Sequence, residues 1–135
     1  MKLNNLLRNV NVKKTIGNLD VEIEFITIKS KEVSKNSLYI CLTGENVDGH
    51  NFAFDVEKYG AVAIITEKEI EGLTIIQIVV EDSRKSLSII SSNFYDNPEK
   101  KLKIIGITGT NGKTTTSFII KHILEKNNIK CGVIG

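Results

Sequence analysis

A glycine-rich segment between an apolar run and a helical pattern constrains the fold of this 135-residue chain more than any other feature. Residues 106–116 read Gly-Ile-Thr-Gly-Thr-Asn-Gly-Lys-Thr-Thr-Thr. Apolar side chains typical of a strand precede the segment at 102–105, and apolar side chains at helical spacing follow it at 118–124. This order predicts a strand, a phosphate-binding loop and a helix.

The residue types within this loop suit the binding of a nucleotide phosphate. Gly109 and Gly112 have no Cβ, which lets the backbone turn its N–H groups toward an anion. Lys113 is expected to place its ammonium on the β- and γ-phosphates, and Thr114 to offer its hydroxyl to Mg²⁺. The positive end of the following helix adds to the same field.

The loop departs from the common pattern at one position. A glycine is usual five residues before the second loop glycine, where this chain has Ile107, and Gly106 comes one residue too early. A simple turn with a threonine cap is the alternative interpretation. The lysine directly after Gly112 favours the phosphate loop, because a tight turn does not require a lysine there.

Composition narrows the class of protein. The net charge of +2, from 18 basic and 16 acidic side chains, predicts no steering toward nucleic acid. Cys41 and Cys131 each lie in an apolar run, which suggests buried, reduced thiols in a cytoplasmic protein. No apolar run approaches 18 residues and no signal-peptide core is present, so no membrane partner is expected.

Strand-like and helix-like segments alternate along the chain, which predicts an α/β fold with a small mixed sheet. Strands are expected at 21–26, 37–42, 61–65 and 74–80, and helices at 3–9, 52–59 and from Asp82 to 94. Pro98 predicts a domain boundary, with residues 1–98 before it and 99–135 after it. Since one strand–loop–helix unit cannot complete a parallel sheet, the second part is expected to be the beginning of a longer domain.

The segments on either side of this boundary resemble one enzyme family. Asn-Phe-Tyr-Asp-Asn-Pro at 93–98, the loop itself, and the upstream stretches 37–44, 48–52 and 60–65 resemble the Mur ligases of peptidoglycan synthesis. Within them the chain is similar to the MurE type, which adds the third stem-peptide amino acid to UDP-MurNAc-L-Ala-D-Glu. The resemblance implies a UDP-sugar-binding domain at 1–98 and the start of the central ATP-binding domain at 99–135.

The same resemblance implies an activity and its cofactors. ATP phosphorylates the substrate carboxylate, and the amine of diaminopimelate or lysine then displaces the phosphate. ATP and Mg²⁺ are the implied cofactors, Lys113 the catalytic residue and Thr114 the metal ligand, in a cytoplasmic monomer. The implied nucleotide-binding residues are Gly109, Thr110, Asn111, Gly112, Lys113, Thr114, Thr115 and Thr116.

For the UDP-sugar site, the family has a Leu-Asp-Ser-Arg-like stretch where this chain has Ile28-Lys29-Ser30-Lys31. Ser30 keeps a hydroxyl for the uracil or a phosphate, although a plain exposed serine is the alternative. Two lysines in place of Asp and Arg remain compatible with a diphosphate. The implied substrate-binding residues are Ile28, Ser30, Glu45, Asn46 and Val47.

Other polar residues have simpler interpretations. The triplet at 82–84, Asp-Ser-Arg, is interpreted as a helix start rather than as part of the nucleotide-sugar site. His50 is interpreted as a surface or turn residue, because no metal-ligand partner accompanies it. His122 lies on the helix after the loop, between apolar positions, and is expected to flank the hydrophobic core rather than to catalyse.

Two other functions compete with the ligase. One is a non-catalytic nucleotide-sugar-binding module that carries a vestigial phosphate loop. The other is an unrelated P-loop ATPase or GTPase, which fits the loop but not the upstream resemblance.

Overall fold

Five strands form one mixed sheet in the computed structural model, which describes residues 1–45 and 47–135. The strands follow the order β1-β5-β4-β3-β2, with β2 to β5 parallel and β1 antiparallel to β5. Their bounds are β1 Val12–Ile16, β2 Phe25–Thr27, β3 Ser37–Ile40, β4 Ala61–Thr66 and β5 Ile76–Val80.

Four α-helices are described, together with three 3₁₀ turns at Ser30–Glu32, Gly49–Phe52 and Pro98–Lys100. No helix in the described part of the chain has both the length and the apolar character needed to cross a membrane. The helices are α1 Leu3–Leu6, α2 Ala53–Lys58, α3 Ser83–Phe94 and α4 Lys113–Lys126.

The chain divides into two compact units, Met1–Lys101 and Leu102–Gly135. The whole sheet lies in the first unit, and α4 lies in the second. The second unit has no assigned strand, and none of its side chains is buried. The strand expected at 102–105 is therefore not present in this unit, because a strand needs a hydrogen-bonded neighbour to form a ladder.

The first unit has a core on each face of its sheet. Side chains alternate between the faces, so that Leu38 and Ile40 of β3 pack with α1 and α3, while Tyr39 and Cys41 pack with α2. Complete burial of an aliphatic side chain stabilises the fold by about 1.5–3 kcal/mol. The central strands are buried on both faces and read as continuous apolar runs, as expected for parallel strands between helices.

Most expected elements of the first unit are present, with shifted ends. The helix predicted at 52–59 is α2, and the helix predicted from Asp82 is α3. Asp82 caps α3, because its Oδ1 accepts a hydrogen bond from the backbone N–H of Lys85 at 2.8 Å. The strand predicted at 21–26 begins only at Phe25. Strand β1 was not expected, because its two lysines, Lys13 and Lys14, hide the apolar alternation.

Candidate functional site

Loops that follow the carboxyl ends of the parallel strands enclose a cleft of about 560 Å³ in the first unit. Residues 28–32 come directly after β2, and Arg84 lies shortly after β5. The lining residues that follow β3 are Leu42, Gly44, Val47 and Gly49. Crevices at the carboxyl ends of parallel strands are the usual ligand sites of open α/β sheets. The volume lies within the range of small-molecule pockets.

One part of the cleft is apolar. Its lining includes Ile28, Leu42, Val47, Phe52 and the ring of Tyr39. Ile28 and Val47 are substantially exposed, so the apolar surface is available to a ligand. Such a lining suits the flat face of a nucleobase or another planar group.

The charged groups of the cleft are mainly cations. Lys29, Lys31 and Arg84 line it together with one carboxylate, that of Glu32. The Lys29 Nζ lies 2.8 Å from Glu32 Oε1, and this hydrogen bond raises the pKa of Lys29 above its usual value. Three cations against one carboxylate favour an anionic ligand.

The Asp48–His50 pair holds the loop after β3. Asp48 Oδ1 accepts hydrogen bonds from the backbone N–H of His50 at 3.0 Å and from His50 Nδ1 at 2.5 Å. His50 Nε2 accepts from the backbone N–H of Glu67 at 3.2 Å, so both ring nitrogens have a hydrogen-bond partner. His50 lies in the 3₁₀ turn Gly49–Phe52, so its interpretation as a turn residue is confirmed, but it is not a surface residue because only 9% of it is exposed.

Hydrogen bonding in this pair also sets the charge state of the carboxylate. The backbone hydrogen bond from His50, followed by the one from its ring, holds the pKa of Asp48 below its usual value. Asp48 therefore acts as a permanently ionised acceptor at neutral pH. It stabilises the wall of the cleft rather than serving as an acid.

Gly49 lies too close to the preceding strand segment for any side chain. A Cβ at this position would stand 2.8 Å from the backbone nitrogen of Leu42. The Gly49 carbonyl accepts a hydrogen bond from the Tyr39 hydroxyl at 3.2 Å. Burial raises the pKa of Tyr39 to about 12, so this hydroxyl acts as a fixed donor under the cleft.

The structure brings together three of the five residues expected at the UDP-sugar site. Ile28, Ser30 and Val47 line the cleft. Glu45 is exposed and does not belong to the lining. Asn46 lies outside the described residues. Ser30 is the first residue of the 3₁₀ turn Ser30–Glu32, which follows β2.

Arg84 is the lining residue that the sequence interpretation set aside. Asp82 does cap α3, as expected, but Arg84 in the first turn of that helix lines the cleft. Its Nη2 donates to the Thr43 carbonyl at 3.4 Å. The available signal was positional, because residues that follow β5 lie at the same edge of the sheet as those that follow β2 and β3.

The phosphate loop lies in the second unit. All residues from Gly109 to Thr116 are exposed. Gly112 has φ +74°, a left-handed conformation that glycine adopts without strain, and α4 begins at the next residue. The first bond of that helix runs from the N–H of Thr116 to Gly112 O at 2.9 Å. The N–H groups of residues 113–115 consequently have no partner within the helix.

The charge distribution of the loop suits an anion. The Lys113 ammonium donates to the Gly109 carbonyl at 2.6 Å, which places it over the loop backbone. The first turn of α4 contains no acidic residue. The exposed hydroxyl of Thr114 is available to a metal ion held by phosphates. These features fit Mg²⁺ together with a nucleotide phosphate.

Other chemical groups offer no further site. Burial raises the pKa of the Cys41 thiol to about 12, which keeps it protonated and unreactive. Cys131 is only half-buried, contrary to the expectation of burial. Among residues 1–45 and 47–135, no three His, Cys, Asp or Glu side chains are grouped as metal ligands.

Comparison with known families identifies the chain. The family model described as "Mur ligase family, catalytic domain" matches residues 22–104, which is more than half of the sequence. The chain belongs to the Mur ligase family. The match lies almost entirely in the first unit and ends before Gly109 of the phosphate loop.

Curated relatives of this Mur ligase chain cover it from end to end. The UDP-N-acetylmuramoyl-L-alanyl-D-glutamate–2,6-diaminopimelate ligase of Clostridium perfringens is 44% identical over the whole chain. The ligase of the same name from Alkaliphilus oremlandii is 45% identical over the whole chain. The chain spans 28% of the length of each of these two relatives.

Solved Mur ligase structures share the fold. A MurF structure from Acinetobacter baumannii is 29% identical, with a TM-score of 0.73, covering 93% of this chain and 27% of that one. MurF from Thermotoga maritima, in complex with ADP, is also 29% identical, with a TM-score of 0.59, covering 75% of this chain and 23% of that one. The predicted α/β fold with a mixed sheet is confirmed.

Proposed function

We propose that this chain is part of an ATP-dependent ligase that joins a carboxylate to an amine in peptidoglycan precursor synthesis. The carboxylate belongs to UDP-N-acetylmuramoyl-L-alanyl-D-glutamate, and the amine to diaminopimelate or lysine. The relatives from Clostridium perfringens and Alkaliphilus oremlandii are 2,6-diaminopimelate ligases, which favours diaminopimelate. Since ATP and a nucleotide-linked sugar are cytoplasmic metabolites, the proposal places the enzyme in the cytoplasm.

The cleft of the first unit supports the nucleotide-sugar part of this proposal. It combines an apolar lining for a base with a cationic group of side chains for a diphosphate. Ile28 and Val47 would contact the uridine, and the Ser30 hydroxyl would donate to it or to a phosphate. Glu45 and Asn46 remain proposed contacts from the neighbouring loop.

The loop from Gly109 to Thr116 supports the ATP part. The unpaired N–H groups at the start of α4 and the Lys113 ammonium would bind the β- and γ-phosphates. Mg²⁺, when bound there, would neutralise phosphate charge during transfer, and the Thr114 hydroxyl is the ligand that this chain supplies. Positioning and charge stabilisation account for most catalysis of phosphoryl transfer.

The reaction would take place in two steps. A carboxylate oxygen attacks the γ-phosphorus of ATP, which forms an acyl phosphate and releases ADP. The amine then attacks the acyl carbon, phosphate leaves with the electron pair of the C–O bond, and the ammonium proton is lost. Lys113 would stabilise the negative charge that is shared between the transferred group and the leaving ADP.

The single observation that supports the proposal is that one Mur ligase chain carries both a glycine-rich loop at the start of α4 and a cleft of about 560 Å³ lined mainly by cations. Lys113→Ala in the full-length enzyme tests it. We expect ATP-dependent ligation to fall by about 10²–10³-fold or more, as when one charge-stabilising donor is removed. Product formation and ADP release measure the effect.

Lys121→Ala is the matched control. Lys121 lies on the same helix and its ammonium is 3.8 Å from the carboxylate of Glu125, away from the loop. This variant should keep normal turnover. Near-normal turnover of a folded Lys113→Ala enzyme would contradict the role proposed for Lys113.

A non-catalytic nucleotide-sugar-binding module is the second candidate. The observation in its favour is that the cleft is formed entirely by residues of the first unit. Titration of the chain with a UDP-sugar, with and without Mg·ATP, separates the two candidates. Sugar-nucleotide binding with no ATP binding in the full-length protein would favour the module.

A further inference from the structure

Among the cations that line the cleft in the described structure, Arg84 is the one that an α-helix carries. It lies in the first turn of α3, a helix of 12 residues whose start is fixed by the Asp82 cap and by the buried Ser83. Its neighbour in the cleft, Lys29, is instead held by the Glu32 carboxylate at 2.8 Å. Within the part of the chain that the structure describes, no carboxylate oxygen lies within 4.0 Å of the Arg84 guanidinium.

One weak anchor orients this guanidinium. Arg84 Nη2 donates to the Thr43 carbonyl at 3.4 Å, which links α3 to the loop after β3. An arginine has five N–H donors in a planar fork, so this contact leaves four of them for a ligand. The fork matches two oxygens of a phosphate, a geometry that a lysine ammonium cannot reproduce.

Arg84 also lies within the same lining as the residues expected to contact the nucleotide. The cleft places it together with Ser30 and Lys31 from the turn after β2, and with Val47 from the loop after β3. Lys31 has no hydrogen bond of its ammonium within the described residues, so it adds charge without a fixed direction. The arginine alone combines charge, fork geometry and an anchor.

We infer that Arg84 is the residue that binds the diphosphate of the nucleotide ligand and thereby positions the ligand in the cleft. This inference rests on the proposed nucleotide-sugar function. It assigns to α3 a direct role in recognising the ligand, in addition to its packing on the sheet. The ligand class that it requires is a nucleoside diphosphate rather than a free nucleoside.

Calorimetric titration of the chain with UDP and with uridine tests the inference. Loss of charged hydrogen bonds in Arg84→Gln should weaken UDP binding by roughly 10- to 150-fold. Uridine binding should stay unchanged, because uridine has no phosphate. Arg84→Lys should give an intermediate loss for UDP, since it keeps the charge but not the fork.

Lys85→Gln is the matched control, because it removes one positive charge at the next position of the same helix. Lys85 points its ammonium toward Asp82, at 3.8 Å, and does not line the cleft. We expect this variant to bind UDP as the unaltered chain does. An equal loss in Lys85→Gln would show a general effect of charge and would overturn the inference.

The remaining outcomes separate the inference from the proposed function. If the unaltered chain binds UDP and Arg84→Gln binds it equally well, the role of Arg84 is overturned and the proposed function stands. If Arg84→Gln weakens UDP and uridine in the same proportion, Arg84 has only a structural role. If the unaltered chain does not bind UDP, the nucleotide-sugar proposal fails, and the inference fails with it.

Discussion

At the scale of single residues, the Asp48–His50 pair shows how a short polar motif shapes a ligand cleft. Asp48 ties the backbone and ring of His50, and His50 in turn accepts from the N–H of Glu67 beyond β4. The loop that carries Gly44, Val47 and Gly49 into the cleft is thereby attached to the sheet. Asp48 and His50 form these hydrogen bonds with each other and with the backbone of Glu67. The pair therefore contributes to the stability of the fold and to the position of the loop.

The stability provided by Asp48 should depend on pH in a defined direction. The folded-state pKa of Asp48 is lowered from 3.8, so its contribution is present above that pH and is lost as the pH falls through the folded value. Asp48→Asn should therefore lower the free energy of unfolding at neutral pH, with the difference shrinking in acid. Urea unfolding at a series of pH values measures it.

A suitable control is Glu71→Gln, which neutralises an exposed carboxylate with no hydrogen bond among the described residues. Its effect on the free energy of unfolding should be small throughout the series. If Asp48→Asn is as stable as the unaltered chain at neutral pH, the pair does not contribute to folding.

At the scale of elements, one side chain connects helices that are distant in sequence. Asn93 near the end of α3 donates through Nδ2 to the carbonyls of Leu6 at 2.9 Å and Arg8 at 2.8 Å. These carbonyls lie at the end of α1, where helical carbonyls lack intrahelical partners. Asn93 therefore closes the short α1 and fixes it against α3.

Asn93→Ala should destabilise the first unit by about 1–3 kcal/mol, because two hydrogen bonds are lost and a half-buried carbonyl is left unpaired. Thermal or urea unfolding checks this value. The matched control is Asn127→Ala, whose amide donates only to the Ile123 carbonyl of its own helix. Equal effects of the two substitutions would show that Asn93 has no special role between helices.

The sequence predicts elements well where one physical signal dominates. The apolar runs of β3, β4 and β5 and the Asp82 cap of α3 were read correctly, because burial on both faces and capping leave direct traces. Strand β1 was missed because its middle residues are all exposed. An edge strand such as β1 is stabilised by pairing with a strand that is distant in sequence, here β5. The local sequence pattern carries no information about that partner.

The candidate site was likewise predictable where a local motif marks it, and not where it depends on strand order. The loop at 109–116 has a local motif, and the resemblance indicated Ile28, Ser30 and Val47, which line the cleft. Arg84 reaches the cleft only because the sheet places the end of β5 at the same edge as the end of β2. That proximity arises from strand order, and a reading along the chain cannot supply it.

At the scale of the whole molecule, stability is concentrated in the first unit. The last buried core residue along the chain is Ile90. No side chain from Leu102 to Gly135 is buried. Amides open with a free energy that reflects the packing around them. The two units should therefore differ strongly in local stability.

Hydrogen exchange of the 135-residue chain should reveal this difference directly. We expect the slowest exchange in β4 and its neighbours β3 and β5, and exchange in α4 that is faster by on the order of 100-fold or more. Mass spectrometry of peptic fragments measures both regions in one sample. Equal protection of α4 and β4 would contradict the unequal distribution of packing.

The position of the cleft beyond the strand ends separates the residues that form the core from the residues that line the cleft. Residues within β3 and β4 must satisfy packing on both faces, whereas residues 28–32 line the cleft and contribute no buried side chain to the core. Lys29 and Lys31 are both exposed, so substitutions there should change the charge of the cleft with little effect on folding. The charge of the cleft can thus be redesigned without altering the packing of the sheet.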